Sequence, residues 1–346
     1  MKVLIACDVN SNPNPFVRTL ADGLRQSGCL VTCSIKEFWT NGADYDIVHL
    51  QWPDLLSDKK DVELRESLCS IKGAGVPVVI TCHNLYAHGH NPCYEQVYKT
   101  VYEMTDCFVH MGKTSKQICE SKYPSAKHVI IPHHTYDNIY KKMPTRQEAL
   151  KRLKLSKDCL YILCMGAFRN DEERELVAYV ANCLKNEDIV FLAPNYQHFR
   201  MWNSKRHLPA FRGITAFLYN RLSHRNIVFC RDMVKDDELP YYYAASDIAL
   251  IHRNDILNSG NLPMAFLFEK PVVGPSVGNV GEILTNTDNV TFSPHDKDSV
   301  VEAIMYMRRR NYLEIGKSNR DFAMKYWSIR TCALKHVELY ESLIRV

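Results

Sequence analysis

The 13 cysteines of this 346-residue chain include no CxxC pair, and no Cys/His spacing along the sequence matches a zinc site. Several, among them Cys7, Cys29, Cys33, Cys69, Cys82 and Cys93, sit singly or inside apolar runs. That usage reads as reduced core thiols and a cytoplasmic setting. No GxGxxG follows Val3–Cys7 or Tyr161–Met165, which disfavours an NAD-dependent oxidoreductase. No apolar run reaches the roughly 18 residues that a membrane-spanning helix requires. The opening MKVLIACDV is too short for a secretion signal and is interrupted by Asp8, so it reads as a buried strand. Low-complexity tracts and short-period repeats are missing as well. Charge of one sign is also lacking. The 43 Lys/Arg nearly balance 39 Asp/Glu, a net charge of +4 that argues against a nucleic-acid partner.

What the sequence does have is alternation. Short apolar runs at 2–7, 30–35, 46–52, 76–83, 106–111 and 128–133 are separated by helical stretches. The first of these helices is expected over 16–27, with Phe16, Leu20 and Leu24 on one face and Gly28 ending it. Strands that are apolar on both faces imply a parallel sheet covered on both sides. The series restarts at 160–166 and continues through 189–194, 226–230, 247–252 and 271–276, with a helix expected over 173–185. The expected class is therefore α/β, with two Rossmann-like doubly wound domains facing across a cleft. The first is placed at 1–155 and the second at 156–320, joined by the charged stretch Pro144–Lys157. Residues 321–346 are read as one long amphipathic helix crossing back to the first domain. In such folds ligands bind at the C-terminal ends of the parallel strands, so polar residues just after strands are the candidates.

The segment Asp255–Pro263 lies between two second-half strands and leads into a short helix expected at 262–268. Backbone N–H groups at a helix start bind phosphate oxygens, and Gly260 would let the backbone approach closely. The plain alternative is an ordinary Ser/Asn helix cap. The run Asp247–His252, Lys270–Pro275 and Gly278–Leu284, with Asp236–Pro240 and Ala244–Asp247 ahead of it, resembles retaining-type, group 1 glycosyltransferases of the two-Rossmann GT-B fold. In that family a run of this kind forms the nucleotide-sugar site. The first half is similar too, in Asp46–Pro53, Val78–Leu85 and Ile131–His134, so the resemblance covers nearly the whole chain. It is closest to bacterial enzymes of surface-polysaccharide synthesis, including mannosyltransferase-like members.

The resemblance implies transfer of a sugar from a UDP- or GDP-linked donor to a glycan or lipid-linked glycan hydroxyl, in the cytoplasm or at the inner membrane face. His83, after its strand, would hydrogen-bond the donor sugar and stabilise charge near the anomeric carbon. Asp255 would supply a carboxylate. Donor binding falls to Gly166, Arg169, Asn258, Ser259, Gly260, Asn261, Leu262 and His134. Arg169, in the stretch Gly166-Ala-Phe-Arg169, can clamp a diphosphate bidentately. The loop Asn10, Ser11 and Asn12, with Asn84 and His88, is assigned to acceptor. No cofactor and no metal are implied, since Arg and a helix N-terminus can neutralise the leaving diphosphate. The aromatic and basic mixture from His198 to Arg212 could meet lipid phosphates, although its simpler reading is a solvated loop.

The sequence departs from the family twice. A Lys expected after the Gly-x-x-Arg is replaced by Asn170, Asp171, Glu172 and Glu173, so one positive charge is missing or supplied from elsewhere. The family's two glutamates, separated by seven residues, become Ile256 and Met264. An epimerase acting on donor alone, or a non-catalytic nucleotide-sugar-binding protein, therefore stays open.

Overall fold

The computed structural model describes residues 1–9, 14–58, 60–86, 92–196, 226–229 and 234–345. The chain forms two compact units. Unit 1 comprises Met1–Ile139 and Met324–Val346, and unit 2 comprises Tyr140–Ala323.

Unit 1 is built on a six-stranded sheet of β1 (Lys2–Ile5), β2 (Leu30–Cys33), β3 (Ile47–Leu50), β4 (Val78–Thr81), β5 (Cys107–His110) and β6 (Lys127–Ile130). Its order is β2-β1-β3-β4-β5-β6, with every pairing parallel. The central strands β3, β4 and β5 are buried throughout and the edge strands β2 and β6 are partly exposed. This is the pattern of a sheet covered on both faces. The first helix, Pro15–Gln26, starts with Pro15 in its first turn while the Asn14 side chain accepts from Phe16 N at 3.0 Å. Its Phe16, Leu20 and Leu24, four residues apart, pack with Val3, Ile5, Val79, Val109, Cys332 and Tyr340 in one core.

Unit 2 repeats the plan with β7 (Leu160–Leu163), β8 (Ile189–Leu192), β9 (Ile227–Val228), β10 (Ile248–Leu250), β11 (Val272–Pro275) and β12 (Val290–Phe292). The order is β12-β11-β10-β7-β8-β9, again all parallel. Ile162, Val177, Val180, Phe191, Leu250, Val273, Ile304 and Met307 form its core. Each sheet reverses its winding once, beside β1 in unit 1 and between β7 and β10 in unit 2. The crevice outside the strand ends at such a reversal is where α/β sheets bind ligands.

Two expectations about boundaries change. The units divide at Ile139/Tyr140 rather than near 155, because the helix Arg146–Leu153 belongs to unit 2. Arg146 donates to the Ala245 carbonyl and, at 3.0 Å, to Asp247, which tethers that helix beside β10. The C-terminal segment is two helices, Tyr312–Tyr326 and Ile329–Ile344, not one. The Trp327 carbonyl leaves the helical ladder to accept from Thr135 N at 2.7 Å. Ser328 then caps the next helix by accepting from Thr331 N at 3.2 Å.

Candidate functional site

In unit 2 the candidate residues gather where β7 and β10 end. Gly166 follows β7 with φ +101°, in the left-handed region that glycine favours. A Cβ there would stand 3.0 Å from Asn261 Nδ2 and 3.6 Å from an Arg253 guanidinium nitrogen, so a side chain would crowd both. Asn261 Nδ2 donates to the Met165 carbonyl at 2.6 Å, which pins the start of the helix Asn261–Leu267 to the end of β7.

Arg169 is exposed, and its backbone N donates to Glu173 Oε2 at 2.8 Å. The other Glu173 oxygen lies 3.7 Å from Arg253 Nε, and Arg253 also donates to the Ala167 carbonyl at 3.1 Å. One carboxylate thus ties both arginine-bearing segments together. The Arg253 side chain is 11% exposed and Glu173 only 9%, so this tie sits largely out of water. Burial first, and then the charge of Arg169, push the Arg253 guanidinium down to about 10, with Glu173 opposing. The two guanidiniums feel each other's charge, and the Glu173 carboxylate offsets part of it. Arg253 lies three residues beyond β10 and supplies the positive charge that the acidic run 170–173 lacks. The sequence signal was available: a cation directly after the apolar run ending at His252. Arg174, by contrast, turns back to Asp171 at 3.3 Å and to the Phe168 carbonyl at 3.1 Å.

The loop 256–262 is held by Gly278. Its φ is +60°, and a Cβ there would fall 2.2 Å from the Ile256 carbonyl oxygen. Asn279 adds a bond from its backbone N to the Leu257 carbonyl at 2.9 Å and another from Nδ2 to Asn258 Oδ1 at 2.8 Å. Asn258 and Asn261 therefore brace the loop with their side chains, and the Leu262 side chain is buried. Neither Ser nor Asn caps the following helix. Gly260 occupies the cap position at φ −63° with no side-chain bond, so its conformation demands no glycine. Ser259 accepts from Leu262 N through its backbone oxygen at 3.1 Å. Asp255 is exposed beside this loop, while Ile256 and Met264, the positions of the missing glutamates, are buried at 6% and 5% exposure. Apolar side chains there fill core space.

Unit 1 presents a different set. His83, two residues past β4, stacks on Trp52 (4.1 Å between ring centres, 17°) and meets Phe16 edge-on at 4.8 Å. Its Nε2 lies 3.0 Å from Gln51 Oε1, an acceptor, so the ring's proton sits on Nε2. Burial first, then the nearby His133 and His134, hold this imidazole neutral, well below the usual histidine range. His133 also meets Phe16 edge-on at 4.9 Å and is pushed down to about 4 by burial.

His134 does not fit a donor-binding role. It is 1% exposed and stacks on Phe16 at 4.4 Å. Its ring nitrogens face the Thr135 carbonyl at 2.9 Å and the Phe16 carbonyl at 3.2 Å, which leaves no edge for a ligand. The Asn84 carbonyl accepts from Tyr102 Oη at 2.6 Å. Asn10, Ser11, Asn12 and His88, with the stretch from His198 to Arg212, lie outside the described residues. Among the described residues no helix is long and apolar enough to cross a membrane.

No protein-family model and no curated protein matches the chain. Solved structures do. Sucrose-phosphate synthase from Thermosynechococcus elongatus superposes with a TM-score of 0.73 at 14% identity, over 99% of both chains. HepE from Anabaena, in complex with UDP-glucose, gives 0.71 at 12% identity over 99% of this chain and 100% of its own. A glycosyltransferase from Rickettsia africae gives 0.70 at 16% identity over 99% and 98%. The fold is GT-B. At these identities the likeness is one of architecture, and within the GT-B frame the residues singled out above are this chain's own. Gly166, Arg169, His83 and the 258–262 loop were singled out by the sequence alone. The structure adds Arg253 and Glu173 beside Arg169, and Trp52 and Phe16 around His83, neighbours that form only once separate strands are aligned.

Proposed function

We propose that this GT-B protein is a glycosyltransferase that moves a sugar from a nucleoside-diphosphate sugar to a hydroxyl acceptor. The observation that carries the reading is the Arg169/Arg253 pair at the sheet reversal of unit 2, both tied by Glu173. Guanidiniums bind diphosphate oxygens bidentately, and charge held in place before reaction stabilises a leaving diphosphate as its bond to the sugar breaks. No metal enters this scheme. A uridine diphosphate sugar is the first donor to test, since HepE is found with UDP-glucose. His83, neutral and with Nε2–H fixed by Gln51, suits hydrogen bonding to a sugar hydroxyl. Asp255 is the exposed carboxylate of the same loop region as Arg253. A glycan or lipid-linked acceptor in polysaccharide synthesis, at the cytoplasmic membrane face, completes the proposal.

The test has two steps. Thermal-shift measurements with UDP, GDP, ADP and CMP identify the nucleotide, and the matching sugar nucleotide is then incubated with and without glycan acceptors. Acceptor-dependent release of nucleoside diphosphate supports the proposal. Sugar-nucleotide isomerisation without acceptor, or binding with no turnover under any condition, overturns it.

A further inference from the structure

Unit 1 also brings together Cys82, the residue before His83, with His110 and Cys119, all three buried. Cys82 directly follows β4, His110 ends β5, and Cys119 lies on the helix Lys113–Lys122. One ligand atom from each lies within 4.8 Å of the other two. The two sulfurs stand 3.9 Å apart. Two thiolates at about 2.3 Å from a tetrahedral zinc ion are themselves about 3.8 Å apart. That is also far longer than a disulfide bond of about 2.05 Å.

Proton placement around His110 favours the same use. His128 Nε2 lies 2.9 Å from the Tyr123 carbonyl, which can only accept, so that nitrogen carries the proton. With its proton on Nε2, His128 presents Nδ1 as the acceptor, 3.0 Å from His110 Nε2. His110 therefore donates from Nε2 and keeps a lone pair on Nδ1. His110 is fully buried, and Nδ1 has no hydrogen-bond partner among the described residues. A carbonyl–imidazole chain that fixes one tautomer is the outer support commonly found behind a metal-binding histidine. Without such a use, a buried ring nitrogen with no partner costs stability.

We propose that Cys82, His110 and Cys119 bind one thiophilic divalent cation of the zinc class, with His128 as the positioning residue that sets the His110 tautomer. The donor set of two thiols and one imidazole suits zinc and excludes magnesium or calcium, which take oxygen ligands. Binding releases the thiol protons to solvent. Cys119 also lines a cavity of about 470 Å³ with Tyr98, Tyr102 and Lys122.

The test uses the full chain, stripped with a chelator under reductant and titrated with Co²⁺. One equivalent should produce thiolate-to-cobalt absorption that Zn²⁺ abolishes, and zinc should raise the melting temperature. Cys119→Ser should remove most of that absorption, and His128→Ala should weaken zinc binding roughly 10–100-fold. In wild-type protein zinc should also slow alkylation of Cys119, a readout that needs no variant to fold. Three results would overturn the proposal: no stoichiometric cobalt signal, alkylation unchanged by zinc, or a Cys82–Cys119 disulfide formed in air in place of metal binding.

Discussion

At the C-terminal edge of the unit 1 sheet, the polar groups are imidazoles clamped between aromatic rings and held neutral by burial. His83 lies well below the usual histidine range and His133 is down to about 4. At the same edge of the unit 2 sheet stand two guanidiniums, with one carboxylate tying their segments together. The two sheets share their parallel winding and a single reversal, yet one edge offers uncharged hydrogen-bonding rings and the other offers fixed positive charge. Topology decides where a ligand can sit, and the few residues past each strand decide which part of it binds there. A sugar hydroxyl suits the first edge and a diphosphate the second.

The largest effect expected from breaking this contrast is at Arg253. Arg253→Ala should lower kcat/KM by about 10²–10³, in line with removal of one preorganised charge-stabilising donor. Arg253→Lys should recover only part, because an ammonium cannot reproduce the planar fork. Steady-state kinetics with the selected sugar nucleotide checks both. Next comes His83→Ala, with kcat down about 10² while nucleoside-diphosphate affinity stays within twofold. Equal losses in both would mean that the unit 1 edge is not chemically separate from that of unit 2.

Acid sharpens the comparison in another way. Burial holds His134 and His252 down to about 3 and His336 to about 4. Their folded values lie below the unfolded one, so the unfolded chain binds more protons on acidification. Stability is full above about pH 6.5 and falls as pH drops toward 4, by roughly 1 kcal/mol per histidine between pH 7.5 and 5.5. Two of the three lie in unit 1, so hydrogen exchange at pH 5.5 should show that unit opening first. The smallest effect is at Tyr340, whose hydroxyl meets the buried His49 Nδ1 at 2.6 Å. Tyr340→Phe should cost about 1–2 kcal/mol in urea unfolding with activity unchanged.

Much of this was legible in the residue order. Alternating apolar runs placed eleven strands of a doubly wound α/β chain, because a strand buried on both faces leaves an unmistakable aliphatic run. Of the expected run 226–230, the described residues show Ile227–Val228 as an edge strand with Ile227 buried and Val228 exposed. The break at Trp327 was hidden, since it depends on Thr135 reaching the Trp327 carbonyl from 192 residues away. His134 misled for the same reason: a histidine after a strand looks available until the Phe16 carbonyl is found against its ring. Arg253 is not legible by motif, because the family pattern places its second cation after the Gly-x-x-Arg, whereas here a second guanidinium near Arg169 follows β10. Ile256 and Met264 stand where the resembled family has its glutamates, and both side chains are buried.

The most direct trial of the account is calorimetric titration of the selected nucleoside diphosphate, and of its unphosphorylated nucleoside, into wild-type and Arg253→Met protein. The account predicts that diphosphate affinity falls about 100-fold in the variant and that nucleoside affinity does not change. Undiminished diphosphate binding in the variant would contradict it.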